Sequence, residues 1–274
     1  MRKHSAATPK YRLQEKERMM PNWVRNRMTV KFEKDTFKAT GNGMQILNFI
    51  MKPLCTEECV FDFEKLIPIP DSYYADYDPS KTLYPSSALS ERALQDYSDY
   101  VGMGKMPENM DAERHKAMFT IGKQSYDNYQ RYSAANWYDW CCKYWGTKWD
   151  ACHAERTERE DCVEIIFDTA WSTPTGIWER LFKYFDNLLK VGYPGINCTI
   201  AYADEDVGSN TSEIIYSAGN ISFTEDSTYS DSIARYIDVW CAGDCPRFYQ
   251  DENGDYHYYC EEYGGDCDKC PANC

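Results

Sequence analysis

Residues 163–192 constrain the fold of this chain more than any other stretch. VEIIFDTAW (163–171) is a segment of strand length, apolar at Val163, Ile165, Ile166, Phe167, Ala170 and Trp171, and reads as a buried strand; STPTGIWERLFKYFDNLLKVG follows it directly. In the second segment Trp178, Leu181, Phe182, Phe185, Leu188 and Leu189 recur at helical spacing, and Gly192 supplies a stop. A buried strand feeding a one-faced helix needs a sheet beside the strand and beneath the helix.

The flanking segments extend the pattern. NWVRNRMTVKF (22–32) alternates as a half-buried strand does. Met44, Leu47, Ile50 and Met51 follow at helical spacing up to Pro53, and CVFDFEKLIPIP (59–70) reads as a second strand ended by prolines. Downstream, NCTIAYADED and SEIIYSAGNISFT supply two more strands, and DSIARYIDVW a short helix. Between the halves, residues 71–135 are polar and Tyr-rich, with helical patterns over 88–101 and 111–132 separated by GMGKMPENM. The expected fold is α+β: a split β-α-β, ferredoxin-like sandwich with helices on one face. Its expected parts are a leader (1–20), a core domain (21–240) with a helical insertion at about 71–135, and a Cys-rich tail (241–274).

Charge narrows the function. The formal net charge is −14, but residues 1–20 are net +4, so the rest carries −18. An acidic body disfavours nucleic acid and anionic membranes as partners. No apolar run reaches the roughly 18 residues of a membrane span, and no signal peptide is visible, which predicts a cytoplasmic protein with reduced thiols.

The tail therefore points to metal. Cys241, Cys245, Cys260, Cys267, Cys270 and Cys274 fall in the last 34 residues, in x3 and x2 spacings with His257 among them. Soft thiolates at such spacings, with Gly243, Gly264 and Gly265 to turn the chain, suit a tetrahedral structural zinc. Disulfides and unpaired thiols are the alternatives, and thirteen cysteines in all is an odd number for a purely disulfide framework. Such a tail is too poor in apolar residues to fold alone, so metal would replace a core. Cys55, Cys59, Cys141, Cys142, Cys152, Cys162 and Cys198 read as buried thiols, with a second metal site at Cys55, Cys59, Cys152 and His153 as the alternative. DENGDYHYYCEE has the oxygen ligands of a calcium loop but its glycine at position 4, so Asn253-Gly254 is better read as a type I′ hairpin turn.

Five segments, in order NWVRNRMTV, FDFEKLIPIP, NWYDWCCKYWGTKWDA, FDTAWSTPTGIWERL and YADEDVG, resemble the phage- and plasmid-encoded YubB-like or Api-type proteins with a ferredoxin-like domain. The resemblance spans about residues 21–222 and implies a mobile-element origin and a bacterial cytoplasmic setting. It brings no catalytic residues.

No P-loop, dinucleotide fingerprint, zinc-protease helix or nucleophile elbow is present, which predicts a non-enzymatic protein. Tyrosines interleaved with carboxylates suit protein recognition. Asp76, Asp78, Tyr126, Tyr129, Asp204 and Asp206 are the binding candidates. The expected function is inhibition of a bacterial host defence complex, by occupying an immune nuclease or other nucleic-acid-binding effector in place of its nucleic acid. Self-association is compatible with this reading. The other reading is a zinc-containing nucleic-acid accessory protein.

Overall fold

The structure, a computed structural model, describes residues 22–33, 42–73 and 87–259. Two compact units are present, one within Ile69–Trp140 and the other within Pro21–Pro68 and Cys141–Cys274.

The larger unit is built on an antiparallel sheet in the order β2-β3-β1-β4-β5-β6, formed by β1 (Trp23–Phe32), β2 (Cys152–Glu158), β3 (Cys162–Ala170), β4 (Ile196–Asp204), β5 (Ser212–Ser217) and β6 (Asn220–Glu225). Val24, Met28, Val30, Phe167, Ile165, Cys198, Ile200, Ile214 and Tyr216 are buried on or beside one face of that sheet. Helix α1 (Gly43–Met51) contributes Leu47, Ile50 and Met51 to the same core. Helix α6 (Thr175–Lys190) contributes Ile177, Trp178, Leu181, Phe182 and Phe185. Phe182 stacks on Tyr216 with ring centroids 5.0 Å apart, and the Tyr216 hydroxyl donates to Asp186 at 2.8 Å. On the opposite face lies α7 (Tyr229–Trp240), whose Val239, Tyr236 and Trp240 pack against Ala201 and Ala203. A hairpin of β7 (Phe248–Gln250) and β8 (Tyr256–Tyr258) follows.

The order β1-α1-β2-β3-α6-β4 is the split β-α-β arrangement expected, but two elements differ. Residues 59–70 are not a strand. Phe61 and Phe63 are fully buried and pack edge-on against each other at 5.6 Å, and both meet Phe167. Asp62 caps a single 3-10 turn, Phe63–Lys65, by accepting from the Glu64 amide. The alternation of apolar residues thus comes from two rings plugged into the core. The strand that fills this place in the sheet is β2, CHAERTE, at an edge and largely exposed. Its half-buried face carries only Cys152, Ala154 and Arg156, so too few apolar residues recur to reveal it in the sequence. The second difference is small: SEIIYSAGNISFT forms a complete hairpin, β5 and β6.

The Asn253-Gly254 hairpin forms, although not through a type I′ turn. Only Gly254 has positive φ (+90°), and its amide donates to Asp251 O. That is a type I turn closed by a glycine bulge, with the Asp251 carboxylate accepting from the Asn253 and Asp255 amides.

In the smaller unit, α2 (Ser87–Met103), α3 (Ala112–Ala117), a π-helical segment (Met118–Gly122) and α4 (Lys123–Tyr132) occupy the two stretches of helical periodicity. Arg114 makes a two-pronged pair with Asp96, at 2.6 and 2.7 Å. Gly122 lies so close to α2 that a Cβ there would stand 2.1 Å from Ala93 O. Helix α5 (Trp137–Tyr144) follows. Among the described residues no helix is long and apolar enough to cross a membrane.

Candidate functional site

Two Trp-rich loops are bound together at the end of the sheet where β3 finishes. The Thr147 hydroxyl donates to Ala170 O at 2.8 Å, and the Ser172 hydroxyl donates to Gly146 O at 2.5 Å. Gly146 holds φ +87°, and a Cβ at Gly176 would meet Tyr144 O at 2.0 Å. Beneath them runs a buried chain of polar bonds. Trp178 Nε1 donates to Thr173 Oγ1 (2.8 Å), that hydroxyl to Asn26 Oδ1 (2.6 Å), and Asn26 Nδ2 to Thr169 Oγ1 (2.9 Å). These bonds account for Thr147 of WGTKWDA and for Thr169, Ser172 and Thr173 of TAWSTPTGIW: two of them fix one loop on the other, and two more tie the second loop to Asn26 of β1.

The surface so fixed combines aromatic rings and charge. Trp23 packs against Trp149 and, edge-on, against His153, with centroids 5.9 and 5.6 Å apart. Lys148 Nζ lies 4.4 Å from the Trp149 ring and 5.3 Å from that of Trp171. Asp168, buried on β3, accepts from Arg25 Nε at 2.9 Å and lies 3.0 Å from His153 Nδ1. The Arg25 guanidinium also covers the Trp240 ring at 4.1 Å. Three non-glycine residues here hold left-handed backbone: His153 (φ +51°), Trp171 (+66°) and Asn210 (+48°). For ordinary side chains that conformation costs about 1–2 kcal/mol each, and it persists only where surrounding bonds impose it. For Trp171 these bonds are its amide to Asn22 O (2.9 Å) and its carbonyl, which accepts from Asn210 Nδ2 (3.3 Å). The outcome is a large indole that stays 41% exposed.

The acidic loop after β4 joins this surface. The Glu205 amide donates to Trp23 O, Asn22 Nδ2 donates to Asp206 Oδ2 at 2.7 Å, and Trp240 Nε1 donates to Asp204 O at 3.1 Å. The two candidates in the loop have different roles. Asp204 is only 6% exposed and accepts from the Asp206 amide, and burial pushes its carboxyl above the ordinary range. It shapes the loop. Glu205 and Asp206 are exposed. In the sequence nothing in the spacing of Glu205 separates it from the buried carboxylate beside it.

Tyr126 and Tyr129 both lie on α4 of the smaller unit: Tyr126 meets Tyr97 with centroids 5.5 Å apart, and Tyr129 is exposed. Asp76 and Asp78 lie outside the described residues, as do Cys260, Cys267, Cys270 and Cys274. Of the tail cysteines described, Cys241 is exposed and closes α7 in left-handed conformation, and Cys245 is half-buried. Among the described residues no three His, Cys, Asp or Glu side chains are grouped to hold a metal ion. That applies to the second set as well. The thiols of Cys55, Cys59 and Cys152 donate to Val60 O, Phe61 O and Asp150 O, and His153 faces Asp168.

Chemically, the surface is equipped to bind. The His153–Asp168 pair resembles a base and its orienting acid, but the adjoining Cys152 thiol is held up at about 12 by burial and supplies no thiolate near neutral pH.

An antiparallel sheet in this strand order, with α1 and α6 on one face, is a ferredoxin-like domain. Residues 144–238 match the family model described as the ferredoxin-like domain in Api92-like protein. The match takes in FDTAWSTPTGIWERL, YADEDVG and the end of NWYDWCCKYWGTKWDA, whereas NWVRNRMTV and FDFEKLIPIP lie outside it. No curated protein and no solved structure matches the chain.

Proposed function

We propose that this is a non-enzymatic binding protein of a phage or other mobile element. It would disable a bacterial host defence system by occupying an immune nuclease or other nucleic-acid-binding effector. The observation that supports this reading most is the junction at the sheet end, where exposed Glu205 and Asp206 adjoin Trp23 and the strained, exposed Trp171. Carboxylates attract the Lys and Arg of a nucleic-acid site from a distance, and rigid aromatics hold the complex once formed. The net charge of −14 acts in the same direction.

A second reading, a nucleic-acid accessory protein, is favoured by one observation. Lys148 sits between the rings of Trp149 and Trp171, an arrangement of cation and stacking surface that suits single-stranded nucleic acid.

The test is capture of partners from a bacterial lysate with and without nuclease, followed by binding kinetics on the purified partner. A discrete protein complex that survives nuclease supports the first reading, and nucleic acid as the dominant bound material supports the second. In the first case, reversing Glu205 and Asp206 to Lys slows association, whereas Trp171→Ala speeds dissociation. Consumption of the effector by substoichiometric amounts of this protein would reveal an enzyme and overturn both readings.

A further inference from the structure

The two edges of the sheet are unlike. At one edge β2 is guarded: its register against β3 shifts between Cys152 and Glu155, and Glu155, Arg156 and Glu158 place charge along it. Bulges and edge charges are the usual defences against strand addition. At the other edge β6, NISFTE, has neither. All six of its residues are exposed, its pairing with β5 is unbroken, and its one charge, Glu225, comes last.

Among the described residues nothing pairs with the outer side of β6, and the direction of its outward hydrogen-bonding groups follows from the turn. Ala218 (φ +41°) and Gly219 (φ +93°) form a two-residue connection, which makes Ser217 and Asn220 a hydrogen-bonded pair. Bonding alternates along an antiparallel ladder, so Asn220, Ser222 and Thr224 bond to β5. Ile221, Phe223 and Glu225 turn their N–H and C=O groups outward. The same two apolar residues pair with Tyr216 and Ile214, so their side chains lie on the face that carries α6, and they are 49% and 69% exposed.

We propose that β6 is the seat of a homodimer, in which two copies of the chain pair their β6 strands antiparallel about a twofold axis normal to the sheet. Such an axis keeps each face on its own side, so outward-bonding residues meet outward-bonding residues and opposite side chains share a face. The register that satisfies both conditions puts Ile221 opposite the second copy's Phe223 and Ser222 opposite its own counterpart. Each Ile–Phe pair closes two backbone hydrogen bonds, and four apolar side chains meet on one face. Glu225 then faces Gly219 of the second copy, so no like charges are opposed. The strand is thus complementary to itself in bonding phase, apolar pattern and charge. A contact of one strand per copy falls below the roughly 1,200 Å² of a standard interface, so the dimer is a weak one, with micromolar dissociation.

Sedimentation velocity of the full chain under reducing conditions, over roughly 5 to 200 µM, tests the proposal. The wild type is expected to shift from monomer to dimer with concentration. Phe223→Lys and Ile221→Lys, both at exposed positions, are expected to stay monomeric with the wild-type circular-dichroism spectrum. Mild oxidation gives an arm that needs no weakened variant. Ser222→Cys should cross-link to a reducible dimer well above the wild-type background, because its counterpart is directly opposite. Thr224→Cys, on the same face but opposite Asn220, should not. A wild type that is monomeric throughout overturns the proposal, even if β6 captures a strand of some other protein. A dimer indifferent to both lysine variants overturns it as well, and so does equal cross-linking of the two cysteine variants.

Discussion

Replacing Asp150 with Asn should make the protein more stable at alkaline pH and remove part of its pH dependence. The Asp150 carboxyl accepts from the Phe63 amide at 3.0 Å and from its neighbour Ala151 at 2.7 Å. Those bonds favour the charged form, but enclosure outweighs them, and the nearby carboxylates Asp62 and Glu64 add to it, so the group is pushed up to about 7 from its usual 3.8. The sign follows from proton binding. Between about pH 4 and 7 the folded chain holds a proton that the unfolded chain has released. Stability is therefore fully present below the unfolded value and is lost as pH rises through the folded one. At about 1.36 kcal/mol per pH unit the shift sets a ceiling of about 4 kcal/mol, and solvent relaxation lowers the expected loss to about 1–3 kcal/mol. The amide keeps an oxygen for both backbone donors but carries no charge. Urea denaturation at intervals from pH 5 to 8.5 should show the wild type losing stability relative to Asp150→Asn, with the gap levelling off above about pH 7.5. Asp204, also shifted upward, is present in both proteins and cancels in the difference. A gap that stays constant with pH, or narrows as pH rises, would refute the argument.

Three further outcomes are expected. Gly122→Ala should cost about 1–3 kcal/mol in denaturant titrations, because the added carbon meets backbone at Ala93 and that helix must give way. Ala218→Asn should raise stability by about 0.5–1 kcal/mol in the same titrations, because asparagine tolerates the left-handed backbone of this turn better than alanine does. Metal analysis of protein purified under reducing conditions should return about one zinc per chain, which the spacing of the tail cysteines suits, and changing Cys267 and Cys270 together to Ser should abolish it. A metal-free chain with intact thiols would remove zinc from the account.

Local pattern determined much of this fold. The alternation in 22–32, the largely apolar segment 163–171 and the one-sided helix of 175–190 each require a buried sheet face, so strand, helix and their pairing follow from the order of residues. Long-range packing decided what lacked such a pattern. FDFEK alternates like a strand yet becomes a plug, because two phenylalanines find Phe167 and Trp178 already in place. CHAERTE has only Cys152 and Ala154 as apolar residues on its half-buried face yet becomes a strand, because it pairs its backbone with β3 and an edge needs little apolar surface. The site divides in the same way. The Trp-rich blocks were visible in the sequence as unusual, and the acidic loop as charged. Their meeting at one end of the sheet depends on bonds between residues up to 184 positions apart, such as Asn22 to Asp206. Composition marks a residue as able to bind. Whether a carboxylate such as Asp204 is buried to shape a loop, while its neighbour Glu205 remains in water, is set by the tertiary packing around it.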